Sequence, residues 1–202
     1  MKYSQSENKT LGLIGGTSWV STLRYYELIN LGVQKVRGGN RSARILLHSV
    51  DFQEIEDMQA QDNWSKITEM YNEILSKMKN YGVDSAMICT NTLHKIIDKP
   101  EFQNHIPVID IREALVNSIK ERKINRVAVL GTKYLMQSDF FTGSLKKEGL
   151  EVLLPEEDLQ NFIHQMIFGE LTTGKLLPAS ISKFNEIIFQ LEKDGADRKS
   201  VV

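Results

Sequence analysis

Short apolar runs alternate along this chain with longer stretches of helical periodicity. The runs fall at residues 11–14, 45–50, 85–89, 106–109, 126–130 and 150–154. Each has the length of a buried strand. Between them, apolar residues recur at helical spacing over 20–36, 64–80, 111–122, 140–148, 162–171 and 179–192, with a shorter helix-like stretch at 92–97. The first of these helices should turn Leu23, Tyr26, Leu28 and Ile29 inward, and the 64–80 helix Ile67, Met70, Ile74, Leu75 and Met78. Ser18 or Ser21 is placed to cap the first helix, and Gly38-Gly39-Asn40 ends it. Strands alternating with helices predict an α/β fold with mostly parallel sheets.

The pattern also repeats. Leu11-Gly12-Leu13-Ile14-Gly15 resembles Val127-Ala128-Val129-Leu130-Gly131, and each leads to a threonine, Thr17 or Thr132. Tyr81-Gly82-Val83-Asp84 resembles Asp194-Gly195-Ala196-Asp197 at a similar separation, as two related lobes require. A polar tail (1–10), a first lobe (11–110) and a second lobe (111–202) follow. After Asp84 the first lobe enters an apolar strand. After Asp197 the chain reads Arg198-Lys199-Ser200-Val201-Val202, a poor start for a buried strand. The second lobe is therefore expected to be incomplete, a truncation.

Candidate chemistry gathers where apolar runs stop. The run 85–89 ends abruptly in Thr90-Asn91-Thr92 and His94. In a parallel sheet, ligands bind at that end of the strands. Hydroxyls and an amide orient a small carboxylate or ammonium without burying net charge, although Asn and Thr also cap helices. Cys89 is a candidate nucleophile, but its place inside the apolar run favours an inward packing residue, so Thr90 is preferred as the ligand-facing group. His94 suits orientation or proton transfer, and Asp51 is a second reserve acid. Gly15-Gly16-Thr17-Ser18 can hold a carboxylate at a helix N-terminus or simply turn the chain, and it matches no dinucleotide or ATP motif. Trp19 and Trp64 read as core or interface aromatics.

Composition narrows the class. A net charge of -1 and a pI near 6.4 disfavour nucleic acid and anionic membrane as partners. The single cysteine excludes an internal disulfide and points to a reducing compartment. No apolar segment has the length of a membrane span, and the first ten residues lack a signal-peptide core. A cytoplasmic protein is expected.

Together these segments resemble the aspartate/glutamate racemase family. The resemblance rests on residues 11–19, Ser21-Thr22, Tyr25-Tyr26, Leu28-Ile29-Asn30, His48-Ser49-Val50-Asp51-Phe52, Asn91-Thr92-Leu93-His94-Lys95, Leu130-Gly131-Thr132, Asp139-Phe140 and Ile167-Phe168-Gly169-Glu170-Leu171. It implies two similar Rossmann-like α/β lobes with parallel sheets and a site between them. It implies cofactor-independent inversion at Cα, without pyridoxal phosphate or metal, and a homodimer. The substrate would be aspartate or glutamate. Thr90 falls at the first-lobe acid/base position, and Thr17, Ser18, Gln59, Asn91, Thr92 and Thr132 at substrate-binding positions. Phe162 falls near a position where some relatives carry a basic residue. The facing second-lobe cysteine is absent from this sequence. The alternative is a non-catalytic protein that binds an acidic amino acid, or an inactive remnant.

Overall fold

The computed structural model describes residues 9–197. Most of the polar tail, and the 198–202 segment on which the truncation expectation rests, lie outside the described residues. The chain divides into two compact units between Ile109 and Asp110.

Unit 1 contains β1 (Leu11–Gly15), α1 (Trp19–Arg37), β2 (Ile45–Ser49), α2 (Phe52–Ala60), α3 (Trp64–Asn80), β3 (Ser85–Ile88), a 3-10 run (Thr92–Asp98) and β4 (Val108–Ile109). Its sheet has the order β2-β1-β3-β4, all parallel. Alternate residues of β1 face opposite helices, as strand geometry demands. A Cβ on Gly12 would lie 2.7 Å from Met78 Sδ of α3, whereas one on Gly15 would lie 2.3 Å from Thr22 Cγ2 of α1. Two glycines thus let a helix approach each face of the central strand.

Unit 2 contains α4 (Ile111–Glu121), β5 (Arg126–Ala128), α5 (Lys133–Met136), α6 (Asp139–Lys147), β6 (Glu151–Leu153), α7 (Glu157–Gly169), a 3-10 run (Leu171–Thr173) and α8 (Pro178–Lys193). β5 and β6 pair in parallel. Val127, Val129, Phe141, Leu145, Ile163 and Ile187 form the centre of its core.

The sequence repeat is also a repeat of backbone geometry. Asp84 N–H donates to the Thr10 carbonyl at 3.0 Å, and Asp197 N–H donates to the Arg126 carbonyl at 3.2 Å. Just before each, Val83 N–H donates to the Met78 carbonyl and Ala196 N–H to the Leu191 carbonyl. Gly82 and Gly195 both take positive φ there, 77° and 98°. The matched residues stand in the same turn at the end of α3 and of α8.

The departures from expectation have physical causes. Leu23, Tyr26 and Leu28 are exposed rather than inward, and Ile29 is only half-buried. α1 is apolar on several sides, so spacing alone could not select its inner face; Thr22, a polar residue, is its one buried position. Trp19 is exposed and Trp64 buried. Met70 is only half-buried, while Tyr71 beside it is fully buried. Residues 92–98 wind as a 3-10 run, and β2 stops at Ser49. α7 starts at Glu157, ahead of the apolar pattern, because Glu157 and Asp158 suit the positive end of the helix dipole. The four-residue α5 is too short to show a period.

Gly15→Ala should lower stability by about 1–3 kcal/mol, since its methyl group would strike Thr22 from both Cγ2 and Oγ1. Urea unfolding measures this; an unchanged midpoint would mean that α1 does not seat on β1 as described.

Candidate functional site

Two chain exits lie side by side at the carboxyl end of the unit 1 sheet. One is the loop from β1 to α1, which carries Thr17 and Ser18; the other is the segment after β3, which carries Thr90 and Asn91. Cys89 N–H donates to the Ile14 carbonyl at 2.9 Å, so the β1–β3 pairing continues to the threshold of Thr90. Ser21 Oγ, in the first turn of α1, lies 2.9 Å from the Ser18 carbonyl and 3.1 Å from the Cys89 carbonyl. That hydroxyl ties the two exits together.

The first loop depends on glycine and threonine. Gly16 has φ 102°, and a Cβ there would fall 2.1 Å from the Val50 carbonyl oxygen. No side chain fits. Thr22 Oγ1 accepts from Gly16 N–H at 3.0 Å and donates to the Ser18 carbonyl at 3.0 Å. Ser18, rather than Ser21, caps α1, accepting from Val20 N–H at 3.2 Å.

Behind the loop are two buried hydroxyls. Thr17 Oγ1 and the Tyr71 hydroxyl of α3 are both buried and neither makes a hydrogen bond. Thr17 is near enough to favour the ionised phenol but is not aligned for a hydrogen bond. Burial outweighs it and pushes the Tyr71 phenol well above its usual range, with Cys89 adding to the rise. Burial also pushes the Cys89 thiol up to about 12. Tyr25 of α1 is pushed up to about 12, by burial first and Cys89 second. All three groups keep their protons at neutral pH, and Cys89 is a buried thiol rather than a ready thiolate.

Thr90 is half-buried. The ring of the fully buried His94 reaches back to it, with Nδ1 2.8 Å from the Thr90 carbonyl. A proton on Nδ1 makes that bond, so His94 holds backbone. Asn91 stands at the N-cap position of the 3-10 run, but its side chain makes no capping bond. Thr92 is buried at the start of that run. Gln59 is buried near the end of α2, whose N-cap is Asp51, accepting from Gln53 N–H at 3.0 Å.

In unit 2, Thr132 follows β5 and caps α5, accepting from Leu135 N–H at 3.3 Å. Lys133 N–H donates to His164 Nδ1 at 3.3 Å, which places the ring proton on Nε2. The His164 ring lies 4.6 Å from that of Phe168 and edge-on to Tyr134. Burial, then Lys133, lowers its pKa, so the imidazole is neutral at pH 7. Phe162 packs on the unit 2 core with the Lys183 ammonium 4.3 Å above its ring.

The candidate residues Thr17, Ser18, Thr90, Asn91 and Thr92 therefore occupy two adjoining exits of one sheet. Gln59 sits on another element of the same unit, and Thr132 on unit 2. Sequence reasoning passed over Tyr71 and His164 and gave Tyr25 no role beyond the resemblance. Tyr71 was legible in the spacing of Ile67, Tyr71, Ile74, Leu75 and Met78 along α3, all buried. His164 had no signal before its partner Lys133 was placed.

A family model described as Asp/Glu/Hydantoin racemase matches residues 14–198. Among solved structures, a protein assigned as an Asp/Glu racemase from Yersinia pestis is similar at 36% identity, over 93% of this chain and 82% of that one, with a TM-score of 0.82. An aspartate racemase homologue from Pyrococcus horikoshii OT3 is similar at 26% identity, over 93% and 82%, with a TM-score of 0.72. An aspartate racemase from Picrophilus torridus shares the fold at 16% identity, over 92% and 77%, with a TM-score of 0.72.

The raised Cys89 pKa has a defined pH consequence. An unfolded thiol ionises near 8.5, whereas the folded one does so at about 12. Its contribution to stability is complete below pH 8 and is lost as pH rises from about 9 to 12. Cys89→Ala should flatten the alkaline fall of stability in that window, measured by denaturant unfolding at stepped pH. In the native chain at pH 8, Cys89 should react with a thiol reagent roughly 100-fold or more slower than in denaturant. Equal rates would place the thiol at the surface.

Proposed function

The chain belongs to the Asp/Glu/Hydantoin racemase family, and from that premise we propose that it takes an acidic amino acid, aspartate or glutamate, at the carboxyl end of the unit 1 sheet. The family is one of racemases, which are isomerases. In this reading Thr90 is the acid/base group of unit 1. Thr17, Ser18, Asn91 and Thr92 orient the carboxylate and ammonium, and Gln59 is a further substrate contact. The reaction needs neither pyridoxal phosphate nor metal. The protein works as a homodimer in the cytosol.

One observation carries the reading. The Ser21 hydroxyl, reaching from the Ser18 carbonyl to the Cys89 carbonyl, holds the Thr17 loop beside Thr90. His94 fixes the Thr90 backbone from the protein side. Hydroxyls and an amide stand together at a sheet end where small polar ligands bind.

Inversion requires a proton to leave Cα from one face and return to the other. A threonine hydroxyl is a far weaker acid than a thiol, so Thr90 needs a neighbour to take or relay its proton. The one cysteine of the 202 residues, Cys89, is buried and protonated and does not supply the second group. That observation favours a second reading for this chain, a protein that binds an acidic amino acid without inverting it.

Calorimetry with L-aspartate and L-glutamate separates these readings when paired with incubation in D₂O, read by proton NMR and chiral chromatography. The chain should bind one of the two, and Thr17→Val or Asn91→Ala should weaken binding by about 10-fold, the loss of one hydrogen bond to a charged group. Inversion should be slower than in a complete pair of acid/base groups by on the order of 10²–10⁴-fold. Fast inversion would show that another acid serves the second face. Failure to bind either amino acid would refute the site.

A further inference from the structure

The outward face of α1 carries a pattern that matches itself. On a helix, positions 20, 24, 27 and 31 lie in one stripe, at the four-three-four spacing of a helix–helix seam. Here the stripe reads Val20, Arg24, Glu27, Leu31, and it lies opposite the inner face that carries buried Thr22. Arg24 and Glu27 form an ion pair within the helix, with side chains 62% and 55% exposed. Leu31 is 51% exposed. Leu23 flanks the stripe on one side and Leu28 on the other, both at least half exposed. An outward face this apolar is unusual on a helix that borders water.

We propose that this face is a two-fold interface between two copies of the chain, with α1 of one copy antiparallel to α1 of the other. The stripe is palindromic about the point midway between residues 25 and 26. Antiparallel pairing about that point sets Arg24 against Glu27 of the second copy, and Glu27 against Arg24. Val20 meets Leu31 at both ends. The two copies of Leu23 line one side of the seam, and the two copies of Leu28 the other. Each charge then has two opposite charges beside it, in an alternating quartet closed at both ends by apolar contacts. No other register of the same face pairs both charges with their opposites. A self-complementary patch is what a two-fold interface requires.

The charge argument selects a second copy over an unrelated apolar partner, which would leave Arg24 and Glu27 unmatched across the contact. A helix of 19 residues is about 28 Å long. A seam of that length covers roughly 300–400 Å² on each copy, about 600–800 Å² in total, which is less than a stable specific interface buries and fits a weak, transient pair. The pair should therefore be reversible, dissociating on dilution. This inference gives the proposed homodimer a surface and stands apart from any catalytic role.

The test is a charge exchange on the full chain, read by sedimentation velocity over a dilution series and by native mass spectrometry. Arg24→Glu alone sets four acidic groups together at the seam, and Glu27→Arg alone sets four basic ones. Each should raise the dimer dissociation constant on the order of 100-fold, the effect of several kcal/mol of like-charge repulsion reduced by solvent. The double variant Arg24→Glu/Glu27→Arg rebuilds the quartet and should restore the dimer. An equimolar mixture of the two single variants should form heterodimers in preference to either homodimer. Circular dichroism should show each variant folded, because both side chains are more than half exposed. A chain that stays monomeric at every concentration overturns both dimer and surface. A dimer indifferent to the single exchanges, or a mixture without preferred heterodimers, overturns the surface alone.

Discussion

Unit 1 depends on how closely α1 approaches the end of β1. At Gly15 a methyl group would stand 2.3 Å from Thr22, and at Gly16 one would stand 2.1 Å from the Val50 carbonyl. Absence of side chains there brings the first turn of α1 against the sheet. Thr22 can then satisfy Gly16 N–H and the Ser18 carbonyl with one hydroxyl, and Ser21 can reach the Cys89 carbonyl on the neighbouring strand. A helix held even one ångström farther out would lose these bonds, because hydrogen bonds weaken steeply beyond about 3.5 Å. The placement of Thr17 and Thr90 is therefore a consequence of backbone packing.

Burial then sets the chemical character of the site. The two exits carry hydroxyls, phenols and one thiol beside the Asn91 amide and the His94 imidazole, and desolvation holds the thiol and both phenols in their protonated forms. The thiol and the phenols therefore offer hydrogen bonds and small dipoles rather than ready bases. His94 follows the same logic. It is committed to the Thr90 carbonyl, so it shapes the site through the backbone.

One turn recurs in both units and explains the spacing of the Gly82 and Gly195 motifs. The turn after α3 and the turn after α8 use a positive-φ glycine followed by the same pair of backbone bonds. Each returns the chain to the first strand of its unit, Thr10 before β1 and Arg126 in β5. Glycine supplies a left-handed conformation at little steric cost, which is why it recurs at that step.

Apolar runs located the strands, Gly15-Gly16 located the tight exit of β1, and internal similarity located the recurring turn, because each of these is a property of neighbouring residues. The family resemblance was legible for the same reason: its motifs are short contiguous segments at strand ends. Tertiary structure alone decided which face of α1 turns inward, since a helix apolar on several sides carries no preferred direction until something packs against it. It also decided that Ser18 caps while Ser21 bridges, that Tyr71 stands beside Thr17, and that Lys133 fixes the His164 tautomer. Each pair is far apart in the chain or has near-equal local alternatives. Local sequence specifies what a residue is able to do, and only the packed neighbours, by removing water and supplying one partner of several, determine what it does.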